Sequence, residues 1–304
     1  SSLHFNTKLY TGNGSTNAIT GVGFQPDWVW LKGRSYVDGH VAYDALRGTN
    51  YIQPNTTGAQ SSIGTGLASL DSDGFTLGSW SNINRNSETH VSWNWKANGQ
   101  GSSNTSGTIN STYTSANTTS GFSIITYTGN GSSGATIGHG LGVVPEVVLI
   151  KKLNGADAWF MTAASLGWNK YMILNDDGAE SGSSNATYTG TAPTTTVFSV
   201  GSDGGVNGNG DTYVAYVFAN VTGFSKVGGI YNGQNDTNGP LIYCGFKPAW
   251  LMYKETTSGT SQNWTIVDNK REPNNVMGKL LHPDLTNAES DQTGSTAINI
   301  DFLS

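Results

Sequence analysis

Two pairs of residues have the types and spacing to do chemistry. Asp44-Ala-Leu-Arg47 recurs as Asp268-Asn-Lys-Arg271, and the middle of the chain has Thr162 and its neighbours in the corresponding place. A carboxylate and a guanidinium three residues apart could clamp an anion or a polyol. They also form an ion pair that pins a loop to a sheet, and the loss of the pair in the middle copy favours such a local brace. Asp71-Ser-Asp73-Gly74 and Asp176-Asp177-Gly178 resemble fragments of calcium loops, but neither has a downstream Glu, and Asp-Gly ahead of a strand is ordinary turn chemistry. His4, His40, His90, His139 and His282 are scattered without an H-x-x-H pair, so no metal site is expected. No nucleophile elbow occurs in a strand-turn-helix setting, and no motif argues for a glycosidase carboxylate dyad. The expectation is a non-enzymatic chain with no catalytic residue and no cofactor.

Aromatic residues offer a second kind of chemistry, the stacking of sugars. Trp28 with Trp30, and Trp93 with Trp95, alternate along single strands, a placement that belongs to a core. Trp159 and Trp168 flank Ala163-Ala-Ser-Leu-Gly167, and Trp264 stands beside Asn263. A loop aromatic next to an amide is suited to holding a pyranose, so Trp159, Trp168, Asn263 and Trp264 are the candidate ligand contacts.

The elements that must position these residues are repeated. Tyr10-Thr-Gly-Asn-Gly14 returns as Tyr127-Thr-Gly-Asn-Gly131 and loosely as Tyr231-Asn-Gly-Gln234. After each comes a run of the form Gly-apolar-x-Pro-x, four apolar residues, Lys. It spans Gly23 to Lys32, Gly142 to Lys151 and Gly245 to Lys254. Pro opens the strand, four apolar residues bury both its faces, and Lys marks an expected exit to solvent. The spacing is that of domains, so beads in tandem are expected. No helical pattern of useful length is present, and two packed sheets must then cover the strand. The fold class expected is all-β, with tandem repeated β-sandwich (jelly-roll or lectin-like) domains.

Val91, Trp93 and Trp95 close the first copy as a half-buried strand, and Val214, Tyr216 and Phe218 close the second. The third copy has no closing strand before Ile300-Asp-Phe-Leu-Ser304. Either the polypeptide continues or another chain completes that sheet, and continuation is the expectation. The organisation is therefore unit one over 1–97, a Ser/Thr/Asn/Gly-rich linker or long loop over 98–118, unit two over 119–221 and an incomplete unit three over 222–304.

Composition limits the function. Charged residues are 12% and the net charge is -6, with no Lys/Arg run, which argues against nucleic acid as a partner. No apolar stretch is long enough to span a bilayer. Cys244 is alone, which excludes an internal disulfide. Asn-x-Ser/Thr triplets are as frequent as this Asn, Ser and Thr content dictates, and they read as unmodified. Ser1-Ser2 is not preceded by Met, so a segment or processed form is expected.

Several separated motifs resemble a family. Ser165-Leu-Gly167, Lys170-Tyr-Met-Ile-Leu-Asn175, Thr196-Val-Phe-Ser-Val-Gly201, Thr212-Tyr-Val-Ala-Tyr216 and the run from Trp264 to Asn275 look like uncharacterised tandem modules of tailed-phage virion and tail proteins, often marine. The resemblance covers nearly all of units two and three, with unit one more divergent. It implies a virion surface structural protein (tail fibre, spike or capsid appendage) assembled in the host cytoplasm. Its implied partners are other virion proteins and, by analogy, copies of itself in a homotrimer, with a host surface glycan as a further ligand. A lectin-like adhesin and a polysaccharide-degrading spike are the alternatives.

Overall fold

The structure is a computed structural model that describes residues 3–182, 185–234, 239–257, 261–294 and 300–303. The fold is all-β, built from antiparallel pairs. Unit one contains β1 (Phe5–Thr11), β2 (Asn17–Thr20), β3 (Trp28–Gly33), β4 (Val41–Asp44), β5 (Asn50–Tyr51), β6 (Ser61–Ser62), β7 (Leu67–Asp71), β8 (Gly74–Leu77), the one-turn helix α1 (Ser81–Asn84) and β9 (Thr89–Trp95). Its main sheet has the order β1-β9-β3-β4, and β2-β8-β7 covers one face.

The stretch read as a linker or long loop holds β10 (Ser111–Asn117), which pairs with β11 (Phe122–Thr128). Apolar residues are not needed for it, because an edge strand is held by main-chain hydrogen bonds while its outer face meets water. Unit two continues with β12 (Ala135–Gly138), β13 (Val147–Lys152), β14 (Trp159–Ala163), β15 (Lys170–Ile173), β16 (Ser181–Gly182), β17 (Val197–Val200), α2 (Gly204–Asn207) and β18 (Thr212–Phe218). The order β11-β18-β13-β14 repeats that of β1-β9-β3-β4, now with β10 added outside β11 and β15-β16 outside β14. Unit three shows β19 (Trp250–Tyr253) paired with β20 (Thr265–Asp268), then β21 (Lys279–Leu280) paired with β22 (Ser290–Asp291).

Strand register fixes the correspondence between units. Trp28 lies opposite Asp44, Val147 opposite Ala163 and Trp250 opposite Asp268. The middle counterpart of the two aspartates is thus Ala163, one residue beyond the Thr162 expected from sequence.

Two of the Pro-led strands are buried on both faces as expected, with all six residues of β3 and five of the six of β13 buried, whereas the four residues of β19 are only partly buried. The covering differs from tandem beads. Val29 and Leu31 face the core between unit one's own sheets, and Val148 and Ile150 that of unit two. The opposite faces join one shared core: Trp28, Trp30, Trp93 and Trp95, with Phe122, Leu149, Trp159 and Tyr216, and with Trp264, Ile266 and Leu281. Trp28 stacks on Tyr216 with centroids 4.3 Å apart and lies 4.4 Å from Trp95. A main sheet with two apolar faces cannot leave one in water, and the neighbouring units cover it.

Candidate functional site

The seams between units carry a recurring set of main-chain and side-chain hydrogen bonds. After β4, β14 and β20 the chain runs through a further short strand, and its carbonyls beyond that strand receive N–H groups from the next unit. The N–H of Asp38 donates to Thr286 O at 2.9 Å, that of Asp157 to Thr57 O at 2.8 Å and that of Gln262 to Asp177 O at 3.0 Å. Three residues further along each of those loops the traffic reverses. Gln60 N donates to Leu153 O at 2.8 Å, Glu180 N to Thr256 O at 2.9 Å and Glu289 N to Arg34 O at 2.8 Å. Unit two thus docks on unit one, unit three on unit two and unit one on unit three, a closed ring with the same two main-chain bonds at every seam.

A ring nitrogen enters each seam at corresponding positions. Trp159 Nε1 donates to Gln53 O at 3.1 Å and Trp264 Nε1 to Ile173 O at 2.8 Å. In unit one the residue is His40, with Nε2 2.9 Å from His282 O. Trp30 Nε1 donates to His40 Nδ1 at 2.9 Å, so Nε2 is the protonated nitrogen of a neutral ring. Burial and the nearby Lys32 ammonium hold the His40 pKa well below the ordinary imidazole value, which keeps that tautomer.

The lysines that end the Pro-led strands do not exit to solvent in units one and two. Lys32 and Lys151 are fully buried. Lys32 Nζ donates to Gly33 O at 2.9 Å and Thr286 O at 3.3 Å; Lys151 Nζ donates to Lys152 O at 2.7 Å and Thr57 O at 3.4 Å. Their pKa values fall to about 8 through burial, with Asp38 and Asp157 respectively opposing the shift. Lys254 donates to Asp177 O at 2.6 Å and also to Gln262 O, the same role at the third seam. An ammonium tied to main-chain carbonyls of two units acts as a fastener, which the run of apolar residues before it gives no means of foreseeing.

The two Asp-Arg pairs are buried and belong to the ring. Asp44 Oδ2 accepts from Arg47 Nε at 2.7 Å and from the Tyr216 hydroxyl of unit two at 2.6 Å. Asp268 Oδ2 accepts from Arg271 Nε at 2.6 Å and from Trp93 Nε1 of unit one at 3.0 Å. Burial acts against the Arg47 charge, and the Asp44 carboxylate with Tyr216 more than offsets it, so its pKa is raised. A guanidinium enclosed in this way is closed to a solute, and the local brace of the sequence reading extends across a seam.

The four sequence candidates for ligand contact do not converge. Trp159 and Trp264 are buried in the shared core, and Trp159 opens strand β14 rather than lying in a loop. Trp168 packs against the separate core of unit two, with a positive φ of 65°. Asn263 lines a hollow of about 230 Å³ between units two and three, with Asn175, Asp176, Asp177, Asp284 and Leu285. Burial pushes the Asp284 carboxyl up to about 6. Its counterparts are amides: Asn55 Oδ1 accepts from His40 N at 2.8 Å, and Asn175 Oδ1 from Trp159 N at 2.8 Å. A shallow hollow of about 340 Å³ beside Gln25, Leu67 and Gln100 has no ionisable side chain. Among the described residues no group of three or more His, Cys, Asp or Glu is placed to hold a metal ion, and no helix is long and apolar enough to cross a membrane.

Sequence reasoning missed Lys32, Lys151, His40, His282 and Tyr216 as seam residues. A signal did exist: with the copies aligned on their Pro-led strands and the start of the next, His40, Trp159 and Trp264 fall in one column, all with a ring N–H. A family model described as a domain of unknown function matches residues 1–304. No curated protein and no solved structure matches the chain.

Proposed function

Taking as premise that the chain belongs to the DUF7483 family over its whole length, we propose that it is a non-catalytic surface part of a tailed-phage particle: a tail fibre, spike or capsid appendage made of tandem β-sandwich modules. The observation that carries the structural half of this reading is the closed ring. Its aromatic, cationic and acidic side chains are spent on holding one unit to the next, the use a rigid building block makes of them. The phage half rests on the motifs from Ser165 to Asn275.

The particle is the place to test it. Mass spectrometry of purified particles should find the chain in stoichiometric amount, and a density map should show a three-lobed ring facing outward. Absence from intact particles would end the proposal. The homotrimer belongs to the same reading, and a monomeric mass by light scattering would remove it, since the ring already brings three units together in one chain.

A second reading is the glycan-binding one, favoured by the polar hollow around Asn263, Asp176, Asp177 and Asp284. A glycan array on the intact protein tests it, with loss of signal in Asn263→Ala expected. A signal unchanged by that variant would place sugar binding elsewhere.

A further inference from the structure

We propose that the seam joining unit one to unit three is an acid-sensitive latch. Proton uptake by His40 opens the ring between its first and last units and leaves the other two seams closed. The latch belongs to the ring itself and does not depend on the phage reading.

The three seams differ at the residue that supplies the ring N–H. Trp159 and Trp264 cannot take up a proton, whereas His40 can. The difference extends over two positions. Strand register puts Trp30 in line with Leu149 and Met252, and His40 in line with Trp159 and Trp264. Units two and three pair an aliphatic residue on the Pro-led strand with Trp at the seam. Unit one has Trp on that strand and the smaller, titratable ring at the seam. The main-chain partners next to it differ as well. Arg34 and Glu289 form a bidentate pair across this seam at 2.9 and 2.8 Å. Their counterparts at the seam of unit two on unit one are Leu153 and Gln60, which are neutral, and at the third seam Thr256 and Glu180, with Glu180 held by Lys170 of its own unit.

A protonated His40 has no place in the closed seam. The residue is fully buried. Its Nε2–H donates to His282 O of unit three, and its Nδ1 accepts the Trp30 indole N–H. A proton added at Nδ1 sets one N–H donor against another across 2.9 Å. The charged neighbours do not relieve this. Lys32 on β3 and Arg271 beyond β20 are cationic and act against an imidazolium, as does His282 beyond β21. The Trp93 ring of β9, stacked 6.4 Å away, is neutral, and the Asn55 amide of the loop after β5 already accepts the His40 main-chain N–H. The carboxylates of the seam are committed elsewhere. Asp268 accepts from Arg271 and Trp93, Asp38 faces Lys32 and Arg85, Glu289 holds Arg34 and Arg271, and Asp284 lines the hollow shared with unit two.

Opening returns both imidazole nitrogens to water. Below the ordinary imidazole value of 6.5 the open form binds a proton that the closed form excludes. The opening constant therefore rises about tenfold for each pH unit of acidification, until the closed form is protonated too. The contribution of the neutral ring to closure is complete above 6.5 and is lost as the pH falls.

Amide exchange on the chain of residues 1–304 tests the latch, with rates corrected for the intrinsic effect of pH. On acidification from pH 6.5, protection of the Asp38 and Glu289 amides should fall about tenfold per unit. Asp157 and Gln60 at one Trp seam, and Gln262 and Glu180 at the other, should keep theirs. The double variant Trp30→Leu/His40→Trp, which copies Leu149 and Trp159, should hold its Asp38 and Glu289 amides through the same range. An unchanged slope in that variant would put the trigger on Glu289 and overturn the role of His40. Loss of protection at all three seams together would overturn the latch. If the variant does not fold, the ring nitrogen-15 shifts of His40 in the unaltered chain decide. The neutral Nε2–H form should persist until the two amides open and then protonate with them. A His40 ring that protonates while Asp38 and Glu289 stay protected would end the proposal.

Discussion

The seam of unit two on unit one and the seam of unit three on unit two share the same main-chain bonds, yet their side chains meet different conditions. At the first, Lys151 is fully buried and Asn55 and Asn175 serve as neutral acceptors on either side. At the second, Lys254 is partly exposed and the third acceptor position is a carboxyl, Asp284, beside a hollow of about 230 Å³. The bracing carboxylates are likewise present at Asp44 and Asp268 and replaced by Ala163 in unit two. The difference shows which features a ring of this kind requires. Main-chain docking and a ring N–H recur at every seam, because either Trp or neutral His can supply one donor to one carbonyl. Buried charge is optional, and where it is present it must be complete.

The largest expected effect comes from making a braced position resemble the unbraced one. Asp268→Ala takes from Arg271 the nearer of its two carboxylates, leaving Glu289 Oε2 at 3.2 Å, and strands the Trp93 N–H in the core, at a cost of about 3 kcal/mol in denaturant unfolding. Asp268→Ala together with Arg271→Met should recover part of that loss. No recovery would mean that the carboxylate acts through Trp93 rather than through the charge.

Next come the ring donors. Trp264→Phe keeps the aromatic area and removes the donor to Ile173 O, a loss of about 1–3 kcal/mol, and Trp159→Phe should match it at Gln53 O. Unequal losses would show that the seams are less alike than their geometry.

The buried lysines give a pH signature. Lys32 and Lys151 have folded pKa values near 8 against an ordinary 10.5. Between those values the unfolded chain binds protons that the native state has released, so this pair makes stability rise with pH from about 8 to 10.5. Thermal melts of the protein and of Lys32→Met/Lys151→Met should diverge with that slope, and parallel curves would refute the assignment.

The smallest effect is at Asp284. Its raised pKa of about 6 means that the native state favours the protonated form, so its contribution is most favourable below the ordinary 3.8 and is lost as pH rises through 6. Asp284→Asn, which copies Asn55 and Asn175, should raise the melting temperature above pH 6 and leave it unchanged below about pH 4. A variant less stable at pH 7 would give the carboxylate a positive role in the hollow.

Much of the fold is legible in the residues. Pro26, Pro145 and Pro248 with the apolar runs after them announce the buried strands, and Val91-Ser-Trp-Asn-Trp95 announces a strand with alternating faces. Residues 111–117 are not legible as a strand, because an edge strand draws on main-chain bonds that leave little mark on side-chain type. The candidate site fared less well. Trp264 reads as a loop aromatic because it stands beside Asn263 in a polar stretch, and Trp159 because it flanks the Ala163–Gly167 segment, but both are buried at a seam.

By itself the order of residues determined the positions of the Pro-led and alternating strands, the two-faced burial of β3 and β13 and the pairing of Asp with Arg, since each depends on periodicity or on partners three residues apart. Only the tertiary structure decided what covers the second apolar face, where Lys32 and Lys151 end and which carbonyls receive the ring N–H groups. The reason is that alternation records that a face is apolar and not which surface lies against it, while a main-chain carbonyl, identical in every residue, leaves no trace in the sequence of the donor that will reach it.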